Sequence, residues 1–471
     1  MKDHVILIEF NELCPPLLQK WMAAGILPNF KKFYDNSHAF VTKPCVPEQQ
    51  YLEPWIQWFS LHTGLSYDQH KVFHLADGPR ANVPSIWSVL ANAGISVGNC
   101  GSMNAAGFNE QGSYFLPDPW CTSEQASPAE LQSFHDFVSY SVREYTNSSP
   151  QLSYRLYTDF LKFMLTHGLT AGTILAIIKQ LAQERIIDRR QSWKRAAILD
   201  KLQFDVFAHY HKSISPEFST FFANSTAHLQ HAYWRNMEPE VFDVQPTDEE
   251  QGIYANAIQF GYTEMDALIG RFMKLESENT TLILSTGHSQ QPFLKGESIG
   301  GQRFYRPQNI ENTLNTWGVD FVDAQSTMTH QFQIRFANSK KLVQGKEILE
   351  SIRCDGEPLF GFNKSENDSI YMGCSLHREV KEDSQIVVEG KNNTVNFYDL
   401  FYMIDATKSG FHHPDGILWI KNNEHKIYDE KVSVLDVFPT LLESFSIPLP
   451  KTQKNIYRGK SLLPLINTAN I

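Results

Sequence analysis

His4-Val-Ile-Leu-Ile-Glu-Phe10, followed at once by Asn11-Glu12-Leu13-Cys14-Pro15-Pro16, is the stretch that decides the fold. Such an apolar run reads as a strand buried on both faces, the pattern of a parallel sheet covered by helices. Pro15 and Pro16 suit a helix first turn, where the missing N–H would be unpaired anyway, and Leu17, Leu18, Trp21 and Met22 give that helix an apolar face before Gly25 ends it. The same strand-and-helix grammar recurs outward along the chain. Pro84 opens a helix through Ile86, Trp87, Val89 and Leu90, Gly94 closes it, and Ile95 to Val97 begins another strand. Strands are expected at Phe218 to Ala223, Thr281 to Ser285 and Gly416 to Ile420, with helices around Tyr262 to Met273 and over Val432 to Phe445. The reading is an α/β protein with a mostly parallel central sheet flanked by helices.

Two stretches break this grammar. Residues 120–205 are helix-prone and carry no polar cluster at a strand end, which predicts an inserted helical cap. Residues 305–405 mix a Phe332 to Phe336 strand, a Lys341 to Arg353 helix and short strands near Leu359 and Ile370, which predicts a small α+β insertion. The division expected is therefore core 1–119, cap 120–205, core 206–304, insertion 305–405 and core 406–471. The most apolar long segment, Phe160 to Leu181, is interrupted by Lys162, His167 and Lys179 and falls short of the roughly 20 apolar residues of a membrane span. It reads as a packed or interfacial helix. Basic residues around Arg185, Arg189, Arg190, Lys194 and Arg195 leave peripheral membrane contact open beside a plain solvated face.

The 471 residues hold 42% hydrophobic and 20% charged residues, which excludes a disordered chain. A net charge of −11 argues against nucleic acid, or an anionic membrane surface, as the main partner and favours small molecules. The six cysteines are scattered without a CxxC pair, so neither a zinc ribbon nor a disulfide framework is indicated. Met1-Lys-Asp-His4 runs straight into the first strand without the apolar core of a secretory signal, which predicts a cytoplasmic protein.

In open α/β sheets ligands bind outside the carboxyl ends of the strands, so polar residues there are the candidates. Four places qualify: Asn11 and Glu12; Asn224 to His231; Gly287, His288 and Ser289; and His412, His413 and Asp415 before Gly416. Three of them contain histidine, the commonest neutral metal ligand and acid/base group.

With these residues placed, the chain resembles the alkaline phosphatase superfamily, most closely its type I phosphodiesterase and nucleotide pyrophosphatase branch. The resemblance rests on Val5 to Asn11 with Leu27-Pro-Asn-Phe30, on Trp58-Phe-Ser-Leu-His-Thr63-Gly64 with His70, on Gln230-His231-Ala-Tyr-Trp234, on Thr281 to His288, on Gly410-Phe-His412-His-Pro-Asp-Gly416, and on Val434-Leu-Asp-Val-Phe-Pro439 leading to Ile447-Pro-Leu-Pro450 and Gly459-Lys-Ser-Leu462. It implies an alkaline-phosphatase-like fold, two divalent metals held by three Asp and three His, and a Thr or Ser nucleophile. The chain departs from that pattern. Asn11, Ala227 and Gly287 stand where the resemblance implies aspartates, and Pro54 stands in the nucleophile's place, while His231, His288 and His412 remain. A register with Asn224 and His228 in the second Asp and His positions also keeps the spacing of four, and its carboxylate is an amide too.

Two ions of total charge +4 without those carboxylates would carry a large uncompensated cost, so a two-metal centre is not expected. The expectation is instead at most one divalent ion, zinc the first candidate, on His231, His288 and His412. Asn11, Glu12 and Glu53 complete the candidate site, with two readings for each acid: Glu12 assists the site or caps the helix near Pro15, and Glu53 assists it or is a solvated loop residue. Trp55, Trp58 and Phe59 floor a ligand pocket or pack in the core. Ser60 and Thr63 lie too far into their helix to replace the nucleophile, but the N-terminus of that helix offers N–H groups to an anion. The functional expectation is an enzyme acting on a phosphate-bearing substrate, a nucleotide or activated sugar, by hydrolysis or transfer. The alternative is a catalytically inactive relative that binds a ligand or a protein.

Overall fold

The computed structural model describes residues 3–46, 48, 51–108, 110–143, 153–327, 330–366, 368–388, 394–404, 408–450 and 457–467. Its centre is a nine-stranded sheet. Across the sheet the order is Lys426–Ile427, Ser37–Lys43, Gly416–Lys421, Thr280–Ser285, His4–Phe10, Phe218–Ala223, Val97–Cys100 and Tyr114–Leu116, with Val432–Ser433 also paired to Ser37–Lys43. His4–Phe10 lies between two parallel partners, Val5 standing opposite Phe218 on one side and Thr281 on the other. Gly416–Lys421 runs antiparallel to both its neighbours, with Leu418 opposite Ser285 and Phe40. That reversal brings the residues before Gly416 to the rim formed by the carboxyl ends of the parallel strands.

The period of two along each strand divides the core between the two faces. Ile6, Ile8 and Phe10 join Leu282, Leu284 and Trp419 in one cluster. Val5 and Leu7 join Ile283, Leu418 and Ile420 in the other. The helix Pro15–Ala23 seats Leu17, Leu18, Trp21 and Met22 on the first of these faces.

The segment expected as a cap forms the helices Gln132–Arg143, Tyr154–Thr166 and Ala171–Ala182, and the helix Arg195–Ile214 runs across residue 205. Phe134, Phe160, Phe163 and Leu202 of this segment belong to the same cluster as Ile6. Residues 305–401 contribute a third cluster of their own, including Tyr305, Phe332, Ile352, Phe360, Ile370 and Phe397. Two four-stranded sheets surround it, together with the helix Ser339–Glu350. That helix stops short of the expected Arg353, because Ile352 and Cys354 turn inward with Arg353 between them and form a strand. Residue 405, the expected end of the insertion, lies outside the described residues. No helix among the described residues is long and apolar enough to cross a membrane.

Candidate metal centre

The carboxyl end of the central strand sets the site. Asn11 N–H donates to the Ala223 carbonyl at 2.9 Å and so continues the ladder one residue past the strand. Glu12 then takes a left-handed conformation, φ 61°, which for a residue with a Cβ persists only where its surroundings hold it. Here they do: its N–H donates to Thr286 O at 3.3 Å, and its carbonyl accepts from Gln230 Nε2 at 2.8 Å. The turn buries the Glu12 carboxylate at the rim, out of solvent contact.

Three histidines from three elements converge on that carboxylate. His231, on the helix Ser225–Met237, places Nε2 3.2 Å from Glu12 Oε2. His412, on the strand Gly410–His413, places Nε2 3.8 Å from the same oxygen. His288 places Nε2 3.7 Å from Oε1. The ring of His412 lies 5.2 Å from that of His231 and 4.9 Å from that of His288. Ligand atoms of Glu12, His231 and His412 all lie within 4.8 Å of one another, a spacing that one metal ion can bridge. The compact triad thus differs from the expected set of three histidines: Glu12 stands in it, and His288 stands beside it.

Neighbouring groups fix the ligands. His231 Nδ1 lies 2.9 Å from the Gly410 carbonyl, which can only accept, so Nδ1 carries a proton and Nε2 is the ring nitrogen that faces Glu12. Glycine is required at 410, since a Cβ there would stand 2.3 Å from Gln230 O. Gln290 lies opposite His412 across the strand pair, and its Nε2 donates to both Glu12 Oε2 and Ala227 O. Asn11 Nδ2 donates to Glu12 Oε1 and to Asn224 Oδ1, each at 2.8 Å.

Burial alone would raise the Glu12 pKa, but His412, His231 and His288 together hold it well below the usual carboxylate range. Burial pushes His288 down to about 4, and holds His412 well below its ordinary value despite the attraction of Glu12. The low pKa values of Glu12, His288 and His412 favour the unprotonated forms that metal ligation requires. Both ring nitrogens of fully buried His288 are without a hydrogen-bond partner. Unpaired polar atoms at such depth are rare in proteins and fit a site built for an additional group. The residues present therefore fit a single divalent ion.

Further divalent charge finds little to balance it. Asn11, a candidate of the site, accepts at Oδ1 from Trp58 Nε1 at 2.7 Å, and with both Nδ2 protons donated the amide acts as a support for Glu12. Gly287 has φ 67°, and a Cβ there would meet the Trp58 ring at 3.3 Å. Trp58 thus packs against two of the three positions where carboxylates were expected.

Glu53 immediately precedes the helix Pro54–Thr63 without capping it, and its Oε2 lies 3.7 Å from His412 Nδ1 with the side chain 32% exposed. Burial of the carboxyl, countered by Lys408 and reinforced by Glu12, pushes its pKa up to about 7. Of its two sequence readings, the structure thus puts Glu53 at the mouth of the site. Glu12 likewise is at the site and caps no helix, the N-cap of Pro15–Ala23 being Cys14.

Trp55, Trp58 and Phe59 are buried in the core, so they do not floor an open pocket. Ser60 Oγ is 3.0 Å from His70 Nε2, and Thr63 Oγ1 donates to Phe59 O, both away from the triad. The anion cradle expected at this helix start is curtailed: Pro54 has no N–H, and those of Ile56 and Gln57 donate to Glu53 O. Sequence reasoning missed Gln290 and Lys408, and quoted Gln230 and Gly410 in motifs without giving them a role. Of the two missed, Gln290, two residues past His288 and so on the same side of the extended chain, had a signal that could have found it.

No protein-family model matches the chain, and no curated protein sequence matches it. Among solved structures, it is similar to phosphonoacetate hydrolase from Sinorhizobium meliloti 1021 in complex with phosphonoformate, at 9% identity over 93% of this chain and 94% of that one, TM-score 0.42. It is also similar to murine ectonucleotide pyrophosphatase/phosphodiesterase 5, at 10% identity over 97% of this chain and 98% of that one, TM-score 0.40.

Proposed function

We propose that this protein is a diverged relative of the alkaline phosphatase superfamily that acts on a small phosphate-bearing substrate, a nucleotide or activated sugar, with one divalent ion, zinc the first candidate, held by Glu12, His231 and His412. The observation that carries the reading is the convergence of those three ligand atoms within 4.8 Å, with His231 Nδ1 tied to Gly410 O. Two imidazoles and one carboxylate are a ligand set that catalytic zinc sites use with a position left open. Bound there, the ion would supply Lewis-acid polarisation of a phosphoryl oxygen.

The remaining roles fall to residues at the mouth. Lys408, whose Nζ lies 5.0 Å from the centre of the Phe411 ring next to His412, is the cation we assign to the substrate phosphate. Glu53 is positioned to take the proton from an attacking hydroxyl, whether of water or of an acceptor. With Pro54 in the nucleophile's place, direct attack replaces a covalent intermediate, and hydrolysis and transfer differ only in which hydroxyl enters.

A non-catalytic binding module is the competing reading, and Pro54 together with the fully hydrogen-bonded Asn11 amide favours it. Elemental analysis of the purified protein, followed by a thermal-shift screen of nucleotides and nucleotide sugars and a turnover assay on each hit, separates the two. About one zinc per chain and chelator-sensitive turnover are expected. Stabilising hits without turnover in the metal-loaded protein establish the binding module, and absence of metal uptake overturns both the ion and the chemistry.

A further inference from the structure

The helix Ala171–Ala182 is amphipathic in the reverse sense from a helix of a water-soluble surface. It buries Thr173 and Gln180 and turns Ile174, Leu175, Ile178 and Leu181 to solvent, with Leu175 67% and Ile178 57% exposed. The single π-helical turn that follows, Gln183–Ile187, adds Ile186 at 81% and Ile187 at 75%. The preceding helix, Tyr154–Thr166, sends Phe160, Phe163 and Met164 to the core and also shows large side chains to solvent, with Tyr154, Tyr157, Leu161 and Leu165 exposed at helical spacing. Soluble monomers rarely leave so much contiguous sequence of large apolar side chains in water, and where they do a partner or a membrane takes it.

The charge around this face names the partner. From 171 to 195 the chain carries Lys179, Arg185, Arg189, Arg190, Lys194 and Arg195 against Glu184 and Asp188, a net of +4 in a protein whose total is −11. Arg195 is paired with Glu184, and Arg190 with Asp188 and Glu249. Lys179, Arg185 and Arg189 are exposed and have no carboxylate within ion-pair distance among the described residues. A second copy of the chain on this face would bring the same cations onto themselves, since a twofold interface pairs a patch with itself. An anionic lipid surface satisfies both features at once, receiving the aliphatic row at the level of the acyl boundary and the cations among the headgroups.

We infer that Ala171–Ile187 docks the protein on an anionic phospholipid membrane, as an interfacial helix lying in the plane of the headgroups. The inference is independent of the chemistry proposed for the metal centre.

Sedimentation of the full chain with vesicles tests it. Wild type is expected to sediment with phosphatidylcholine vesicles containing phosphatidylserine, and to bind roughly tenfold less well to pure phosphatidylcholine or in about 0.5 M salt. Two variants separate the contributions: Leu175→Ser/Ile178→Ser/Ile186→Ser and Lys179→Gln/Arg185→Gln/Arg189→Gln. All six side chains are solvent-exposed, so both variants should keep the wild-type circular dichroism and melting temperature while losing about tenfold or more in vesicle binding. Absence of wild-type binding to the anionic vesicles overturns the inference, as does full binding by the aliphatic variant. A wild-type dimer in light scattering that the aliphatic variant dissolves, with no vesicle binding, assigns the face to a second copy and overturns it equally.

Discussion

Zinc should stabilise the wild-type protein, Glu12→Gln should abolish most of that effect, and His288→Asn should leave about half of it. The order follows from the geometry, because Glu12 is one of three ligand atoms within 4.8 Å while His288 lies beside that set. Gln keeps the length and branching of Glu at the left-handed position 12, and its amide nitrogen must face a donor, Asn11 Nδ2 or Gln290 Nε2, so charge, ligand strength and one hydrogen bond change together. With zinc at about 100 times its Kd, binding to the native state adds roughly 2.7 kcal/mol. A chain of 471 residues unfolds with an entropy of about 1 kcal/mol/K, so the melting temperature should rise by about 2.7 °C. Losing the only anionic ligand of the triad weakens binding by about two orders of magnitude, which at the same zinc leaves roughly 0.4 kcal/mol and about 0.4 °C. Loss of an adjacent supporting imidazole weakens it by about tenfold, leaving roughly 1.4 kcal/mol and about 1.4 °C. Each protein is stripped with chelator and melted by differential scanning calorimetry with and without zinc, so that every variant is compared with its own metal-free form. A full shift in Glu12→Gln alongside a lost shift in His288→Asn would refute the assignment of the triad.

Three further outcomes are expected. Burial pushes Asp200 up to about 7 although Ser225 donates hydrogen bonds to it, so between the ordinary value of 3.8 and about 7 the folded state holds a proton that the unfolded chain has released. Its contribution to stability therefore falls as pH rises through that window, by up to about 1.4 kcal/mol per unit, and Asp200→Asn should melt with wild type near pH 4 but a few degrees above it by about pH 8. Arg235 and Glu297 form a buried two-pronged pair at 2.7 and 2.8 Å, so Glu297→Gln, which leaves the guanidinium without its counter-charge, should cost about 3 to 5 kcal/mol and lower the calorimetric melting temperature by about 3 to 5 °C. If position 54 is the nucleophile's place proposed above, Pro54→Thr supplies a hydroxyl there without the carboxylates, so mass spectrometry after incubation with aryl phosphodiesters should find no covalent phosphoryl adduct.

The sheet was legible because its strands are buried on both faces and bounded by prolines and glycines: Ile6 and Leu7 point into different clusters, and each finds apolar partners there. The direction of Gly416–Lys421 was not legible, since a buried apolar strand reads the same either way and only its pairing with Ser37–Lys43 and Thr280–Ser285 shows the reversal. At the site, the histidines stood out because imidazole beside a strand end is chemically conspicuous. Gln290 and Gly410 did not, because an amide or a glycine acquires meaning only from what it touches, and Gln290 touches a residue 278 positions away. Glu12 carried two readings until its backbone was placed, for a left-handed turn leaves no trace in residue type when the residue is not glycine.

Trp58 ties these threads together. Its indole N–H holds the Asn11 oxygen, its ring edge closes the space beside Gly287, and its own side chain has no solvent exposure. An aspartate at 287 would need both a strained backbone and a displaced tryptophan, and an aspartate at 11 would give up the two hydrogen bonds that Asn11 Nδ2 donates, one of them to Glu12. Asn11 thus supports the Glu12 carboxylate, and Gly287 leaves room for the tryptophan that holds Asn11. Trp58, Asn11 and Glu12 form one hydrogen-bonded unit, and its effect is to hold the acid at the point where the imidazoles of His231, His288 and His412 converge.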